Sequence, residues 1–171
     1  TRPYGATTEE VAEAMRIPTD RVRKDILTLR SWLGTNPRTG QPHIPDSRHT
    51  VAARARGKVV YEVEGLLVDA DLFRRLRLRG ESRGPEGLDD LRTTLTLVTG
   101  TPFAHLRVDG GAWLTDGDRF DQILQCAIVD VAHLVTTSAL QLGNLGEAQA
   151  TAELAARVAP DEETPQLDLA A

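Results

Sequence analysis

Proline 18 sits between two amphipathic stretches too close together for anything but a sharp corner, and that constrains the first third of the chain more than any other residue. The stretch from Thr7 to Gly34 reads TTEEVAEAMRIPTDRVRKDILTLRSWLG. Thr7 followed three residues later by Glu10 is a capping box, which starts a helix that buries Val11, Ala14 and Met15. Pro18 ends that helix, because a proline inside it would remove a hydrogen bond and clash with the preceding turn. Thr19 or Asp20 then caps a second helix whose Val22, Ile26, Leu29 and Leu33 fall at helical spacing.

Turning about 100° per residue from that stripe places Asp20, Lys24, Thr28 and Ser31 on the outward face. Arg21 lies on one flank, Arg23 and Arg30 on the other. Two helices joined this way form a helix-turn-helix signal, and the outward residues have the reach and the donors to read a duplex groove. Leu27, Asp20 and Asp25 on or near the same face favour a different use, a protein-binding surface without nucleic acid. Residues 1–6 hold no helix of their own, so the pair is expected to take its third covering helix from an upstream segment or to pair with another chain.

The charge of −5 is unevenly distributed. Up to Lys58, eleven Lys and Arg face six Asp and Glu, and after it nine face nineteen. A basic front with an acidic rear suits a phosphate-contacting module followed by a protein-binding one, since positive charge is needed only where a duplex lies. Aromatic residues are only 4% of the chain while Leu, Ala and Val abound, which favours helix-on-helix packing.

After Gly34 comes a turn-rich passage, then His43-Ile44-Pro45 as a short edge strand. The segment from Asp46 to Lys58 carries Arg48, His49, Arg54, Arg56 and Lys58 and leads into the strand Val59-Val60-Tyr61-Glu62-Val63. A β-hairpin with a basic tip is expected there, with Arg54, Arg56 and Lys58 along the phosphate backbone. Asp69 caps a helix to Arg79 that buries Leu72, Phe73 and Leu76. Gly80 to Gly87 reads as a linker-like break, and Leu88, Leu91, Leu95 and Val98 as the stripe of the next helix. A long helix from about Asp118 to Leu142 buries Phe120, Leu124, Ile128, Val131, Val135 and Leu142. Leu145 to Ala159 forms a last helix lined by Ala148, Ala152, Ala155, Ala156 and Ala159, and Asp161 to Ala171 begins another.

This order of features resembles the actinomycete antibiotic regulatory proteins and, more broadly, proteins with a bacterial transcriptional activator domain. The resemblance is carried by the helix-turn-helix pair, by VVYEV with Val68-Asp69-Ala70-Asp71-Leu72-Phe73 after it, and by GLDDLRTTLTLVTGTPF from Gly87 to Phe103 with Trp113 downstream. Leu142-Gly143, the alanine-rich helix and Pro160 are similar to half of a tetratricopeptide repeat. The resemblance implies a mainly α chain: a partial winged helix-turn-helix with a short β-hairpin over residues 1–68, lacking its first helix, then an all-α tetratricopeptide-like domain over 69–171.

It implies a transcriptional regulator fragment, cytoplasmic, that binds double-stranded DNA through Arg21, Lys24, Thr28, Ser31, Arg54, Arg56 and Lys58. The helical part would engage RNA polymerase, another protein or a second copy. The alternative is an interaction or scaffold module of a larger signalling or cell-envelope protein.

No enzyme, cofactor or metal is expected. His43, His49, His105 and His133 lack ligand spacing, and the run from Asp116 to Asp121 lacks the glycine and glutamate of a calcium loop, so Asp116 or Asp118 is read as a helix cap. The lone Cys126 falls in an apolar run, which predicts a buried thiol in a reducing compartment. No apolar run approaches a membrane span, so no membrane contact is expected.

Overall fold

The computed structural model describes residues 4–106, 111–115 and 118–171. It is mainly helical with a small two-stranded sheet. The chain forms two compact units, one made of residues up to Leu66 together with 111–115, the other of 67–106 and 118–171. A single cut after residue 68 therefore misses the return of the chain to the first unit, where α6 (Ala112–Thr115) packs on α1 (Thr8–Met15) and buries Leu114.

In the first unit, β1 (Ala6–Thr7) runs directly into α1. The capping box forms as its residues dictate: the Thr7 hydroxyl accepts from the Glu10 amide at 3.2 Å, and the Glu10 carboxylate accepts from the Thr7 amide at 2.8 Å. Arg16 ends α1 in the left-handed region. Pro18 is the N-cap residue of α2 (Thr19–Leu33), with no side-chain cap, so neither Thr19 nor Asp20 caps the helix as expected. Proline suits the corner because its fixed φ matches the extended backbone needed before a helix starts. Val22 is buried, Ile26 and Leu33 are half-buried, and Leu29 is exposed, so the apolar stripe is only partly covered.

The expected hairpin is replaced by a different arrangement. The Glu64 amide donates to the His43 carbonyl at 2.8 Å and the Val60 amide to the Ser47 carbonyl at 3.0 Å, which sets the two segments antiparallel without a continuous ladder. Pro45 has no amide to give such a ladder, and the Ile44 and Pro45 carbonyls accept from Arg30 at 3.0 and 2.9 Å. The basic tip is a helix, α3 (Val51–Arg56), because Thr50 caps a run rich in the strong helix formers Ala and Arg and Gly57 ends it with φ 62°. The strand VVYEV is reduced to β2 (Val60–Tyr61), which pairs antiparallel with β1. Ala52, Ala53 and Val60 form the small core beneath.

In the second unit, α4 (Asp69–Arg83) continues four residues past the expected end and runs through Gly80. A 3-10 turn (Gly84–Gly87) then leads into α5 (Leu88–Thr96). The segment from Gly80 to Gly87 is thus a packed corner and not a linker. A Cβ on Gly80 would stand 2.7 Å from Leu91 Cδ2, and one on Gly87 would collide with the Gly80 backbone. Asp69 accepts from the Ala70 amide at 2.8 Å, and Val68 is the N-cap residue.

The core joins Phe73, Leu91 and Leu95 to Ile128, Val131 and Val135 of α7 (Phe120–Gln141) and to Ala155 and Val158 of α8 (Leu145–Val158). Small side chains at Ala148, Ala152 and Ala155 let α8 lie close to α7. Arg92 forks onto Glu147 at 2.6 and 2.9 Å, tying α5 to α8, and His133 meets Asp168 of α9 (Glu163–Ala170) at 2.8 Å.

Four expectations fail at the rim of this unit. Phe120 and Leu142 flank the packed length of α7 and are exposed. Cys126 is exposed too, because the covered stripe runs through Ala127, Ile128 and Val131. The N-cap residue of α7 is Arg119, paired with Asp121 at 3.0 Å; Asp118 does not cap, and Asp116 lies outside the described residues. Finally, contrary to the expectation that no apolar run approaches a membrane span, α7 is by length and composition apolar enough to cross a membrane; 44% of that stretch is buried.

Two outcomes follow for stability. Gly87→Ala destabilises the second unit by about 2 kcal/mol through overpacking, while Gly146→Ala on α8, where nothing lies within 4 Å, stabilises it by roughly 0.5–1 kcal/mol through helix propensity. Urea unfolding followed by far-ultraviolet circular dichroism measures both. Arg92, chiefly through its hydrogen bonds, holds the Glu147 carboxyl below its ordinary value. A lowered carboxylate pKa stabilises the fold above the unfolded value and loses that contribution as pH falls through the folded one. Wild type therefore loses stability below about pH 4.5 faster than Glu147→Gln does, measured by melts across an acid series.

Candidate nucleic-acid interface

The outward face of α2 carries the expected residues in the open. Asp20, Lys24, Thr28 and Ser31 are exposed. Lys24 and Ser31 have no side-chain partner among the described residues, and Thr28 donates its hydroxyl to the Lys24 carbonyl at 3.1 Å. The arginines flanking this face are engaged. Arg21 pairs with Asp25 at 2.8 Å and Arg23 with Asp20 at 2.9 Å, both exposed and screened by water. Arg30 points inward to the Ile44 and Pro45 carbonyls, so its role is to hold the fold.

The three cations expected at a hairpin tip do not act as one group. Arg56 forks onto Glu10 at 2.8 and 3.3 Å, which raises its pKa and ties α3 to α1. Arg54 lines a recess of about 220 Å³ with Asp46, His49, Glu62 and Glu64, surroundings that repel phosphate. Lys58 alone turns toward α2. It lines an open cleft of about 380 Å³ together with Arg23, Arg48, Thr8, Glu9 and Tyr61.

Arg23 and Arg48 are the residues that the expected set omitted. Arg48 is placed by a turn in which the Asp46 carboxylate accepts from the Arg48 amide and from His49 Nδ1, both at 3.0 Å. The Arg48 amide, the larger cause, and then His49 hold the Asp46 carboxyl below its ordinary value. The opposite wall is the start of α1, where Thr8 Oγ1 lies 3.2 Å from the Tyr61 hydroxyl. The signal for Arg48 was in the sequence, since it belongs to the same basic run as Arg54. What was missing is the direction each side chain takes.

Chemically, three cations around an open cleft beside a polar helix face attract oxyanions such as phosphate, while the Glu9 carboxylate in the same cleft opposes them. Among the described residues no group of three or more His, Cys, Asp or Glu is placed to hold a metal ion. In comparisons with known proteins, no family model, curated protein or solved structure matches this chain.

The inward role of Arg30 is testable. Arg30→Met leaves two carbonyls without their donor and lowers the stability of the first unit by about 1–3 kcal/mol. The chain's two tryptophans, Trp32 and Trp113, both belong to this unit, so tryptophan fluorescence during urea unfolding reads the effect selectively.

Proposed function

We propose that the chain belongs to a transcriptional regulator, with the first unit binding double-stranded DNA as a winged-helix variant and the second acting as a tetratricopeptide-like, protein-binding domain. The observation that carries the reading is the convergence of Arg23, Arg48 and Lys58 on one cleft at the edge of the face bearing Lys24, Thr28 and Ser31. In this reading α2 enters the major groove, its polar side chains meet base edges, and the cleft grips the flanking phosphate backbone. Arg21 adds a contact when a phosphate replaces Asp25.

The order β1, α1, α2 and then two antiparallel segments closing back on β1 supports this reading, in which α3 would stand where a winged helix has its wing. The resemblance to bacterial transcriptional activator domains agrees with it, as do the packed helix pairs of the second unit. RNA polymerase or a second copy of the chain is the partner we assign to those helices, in the cytoplasm.

One observation favours a second reading, a protein-interaction module without DNA. Trp32 is 80% exposed and Leu27 61% exposed on α2, and large exposed apolar side chains of this kind mark protein-binding surfaces.

Titration of a random duplex decides between them. Wild type binds, and its affinity drops steeply between roughly 50 and 200 mM salt, as counterion release requires. Arg23→Gln, Arg48→Gln and Lys58→Gln each weaken binding severalfold and flatten the salt slope by about one, whereas Arg54→Gln changes little. Absence of binding at low salt sinks the DNA reading and leaves the interaction module.

A further inference from the structure

The cationic cleft contains its own anion. Glu9, in the first turn of α1, lines the cleft with Arg23, Arg48 and Lys58. Its carboxyl is held below the ordinary value, first by its own backbone amide, then by the Thr7 hydroxyl, with smaller contributions from Lys58 and Arg23. From the other side, Asp20 of α2 accepts from Arg23 Nη1 at 2.9 Å. Arg23 is thus met by carboxylates from two helices, Glu9 across the cleft and Asp20 on its own helix, and Asp46 adds a third negative charge near Arg48.

Such exposed pairs hold weakly and exchange readily with water and with other anions. A phosphate that enters competes with Asp20 for Arg23 Nη1 and shares the cleft with the Glu9 carboxylate. We propose that Glu9 and Asp20 act as a built-in brake on phosphate binding, competing with phosphate oxygens for Arg23 and Lys58 and so keeping the cleft's affinity low. The inference rests on the duplex-binding reading for the identity of the phosphate, but the competition itself is a property of the cleft. Its consequence is a unit that grips a polyanion firmly only when further contacts are made elsewhere.

The test uses the whole chain and two probes, inorganic tripolyphosphate and a random DNA duplex, titrated against wild type, the double variant Glu9→Gln with Asp20→Asn, and the same double variant carrying Arg23→Gln. Circular dichroism checks that each is folded. The double variant binds tripolyphosphate roughly threefold tighter or more, and adding Arg23→Gln removes the gain, which a general effect on helix stability would not do. Tighter tripolyphosphate binding with no duplex binding in any variant upholds the brake and removes the DNA reading. Tripolyphosphate affinity that is unchanged or lower in the double variant overturns the brake, whatever the duplex does.

Discussion

The carboxylate of Glu10 holds the first unit together. It accepts from the Thr7 amide, completing the cap on α1, and from the Arg56 guanidinium, which brings in α3 from 46 residues further along the chain. Thr7 is at once the last residue of β1, the cap of α1 and the partner of Val60. Closing a loop of that length costs conformational entropy that grows only slowly with its length. A few well-placed buried and charge-assisted contacts therefore suffice to close it. With β1 and β2 joined, Tyr61 and Lys58 are brought to the start of α1, and Ser47, bonded through its carbonyl to Val60, brings Arg48 to the same place.

The same economy of charge decides which cations face a ligand. Arg56 and Arg30 satisfy groups of the fold and are withdrawn from the surface in function if not in position. Arg54 shares a recess with the carboxylates of Glu62 and Glu64. The basic excess of the first 58 residues is therefore larger than the field any ligand meets in one place, and the carboxylates Glu9, Asp20 and Asp25 reduce it further. A modest positive potential with an unobstructed helix face beside it fits recognition that depends on several contacts together.

Much of the local structure was legible from residue chemistry. The Thr7–Glu10 box, the corner at Pro18 and the alanine face of α8 each rest on one strong preference expressed within a few residues. What stayed hidden was non-local or ambiguous. A two-residue strand such as β1 has no periodicity to read, and its residues pair with partners 53 and 55 positions away. Gly80 and Gly87 carry the same letters whether they loosen a chain or let two backbones touch, and only the approach of Leu91 to Gly80 and of the Gly80 backbone to Gly87 separates the cases. Cys126, Phe120 and Leu142 fit the apolar pattern of α7 but lie off its covered stripe or beyond its packed length. Among the cations, charge was readable and direction was not, which is why Arg54 and Arg56 were expected where Arg23 and Arg48 stand.

In the proposed function, one surface, the open face of α2 with the adjoining cleft, meets phosphate. The most direct measurement is a nuclear magnetic resonance titration of the isotope-labelled chain with a short duplex at low salt. If this surface binds, shifts concentrate at Lys24, Thr28, Ser31, Arg23, Arg48 and Lys58, with Arg54 and the helices of the second unit silent. Shifts centred on Arg54, or spread without a focus over both units, would contradict it.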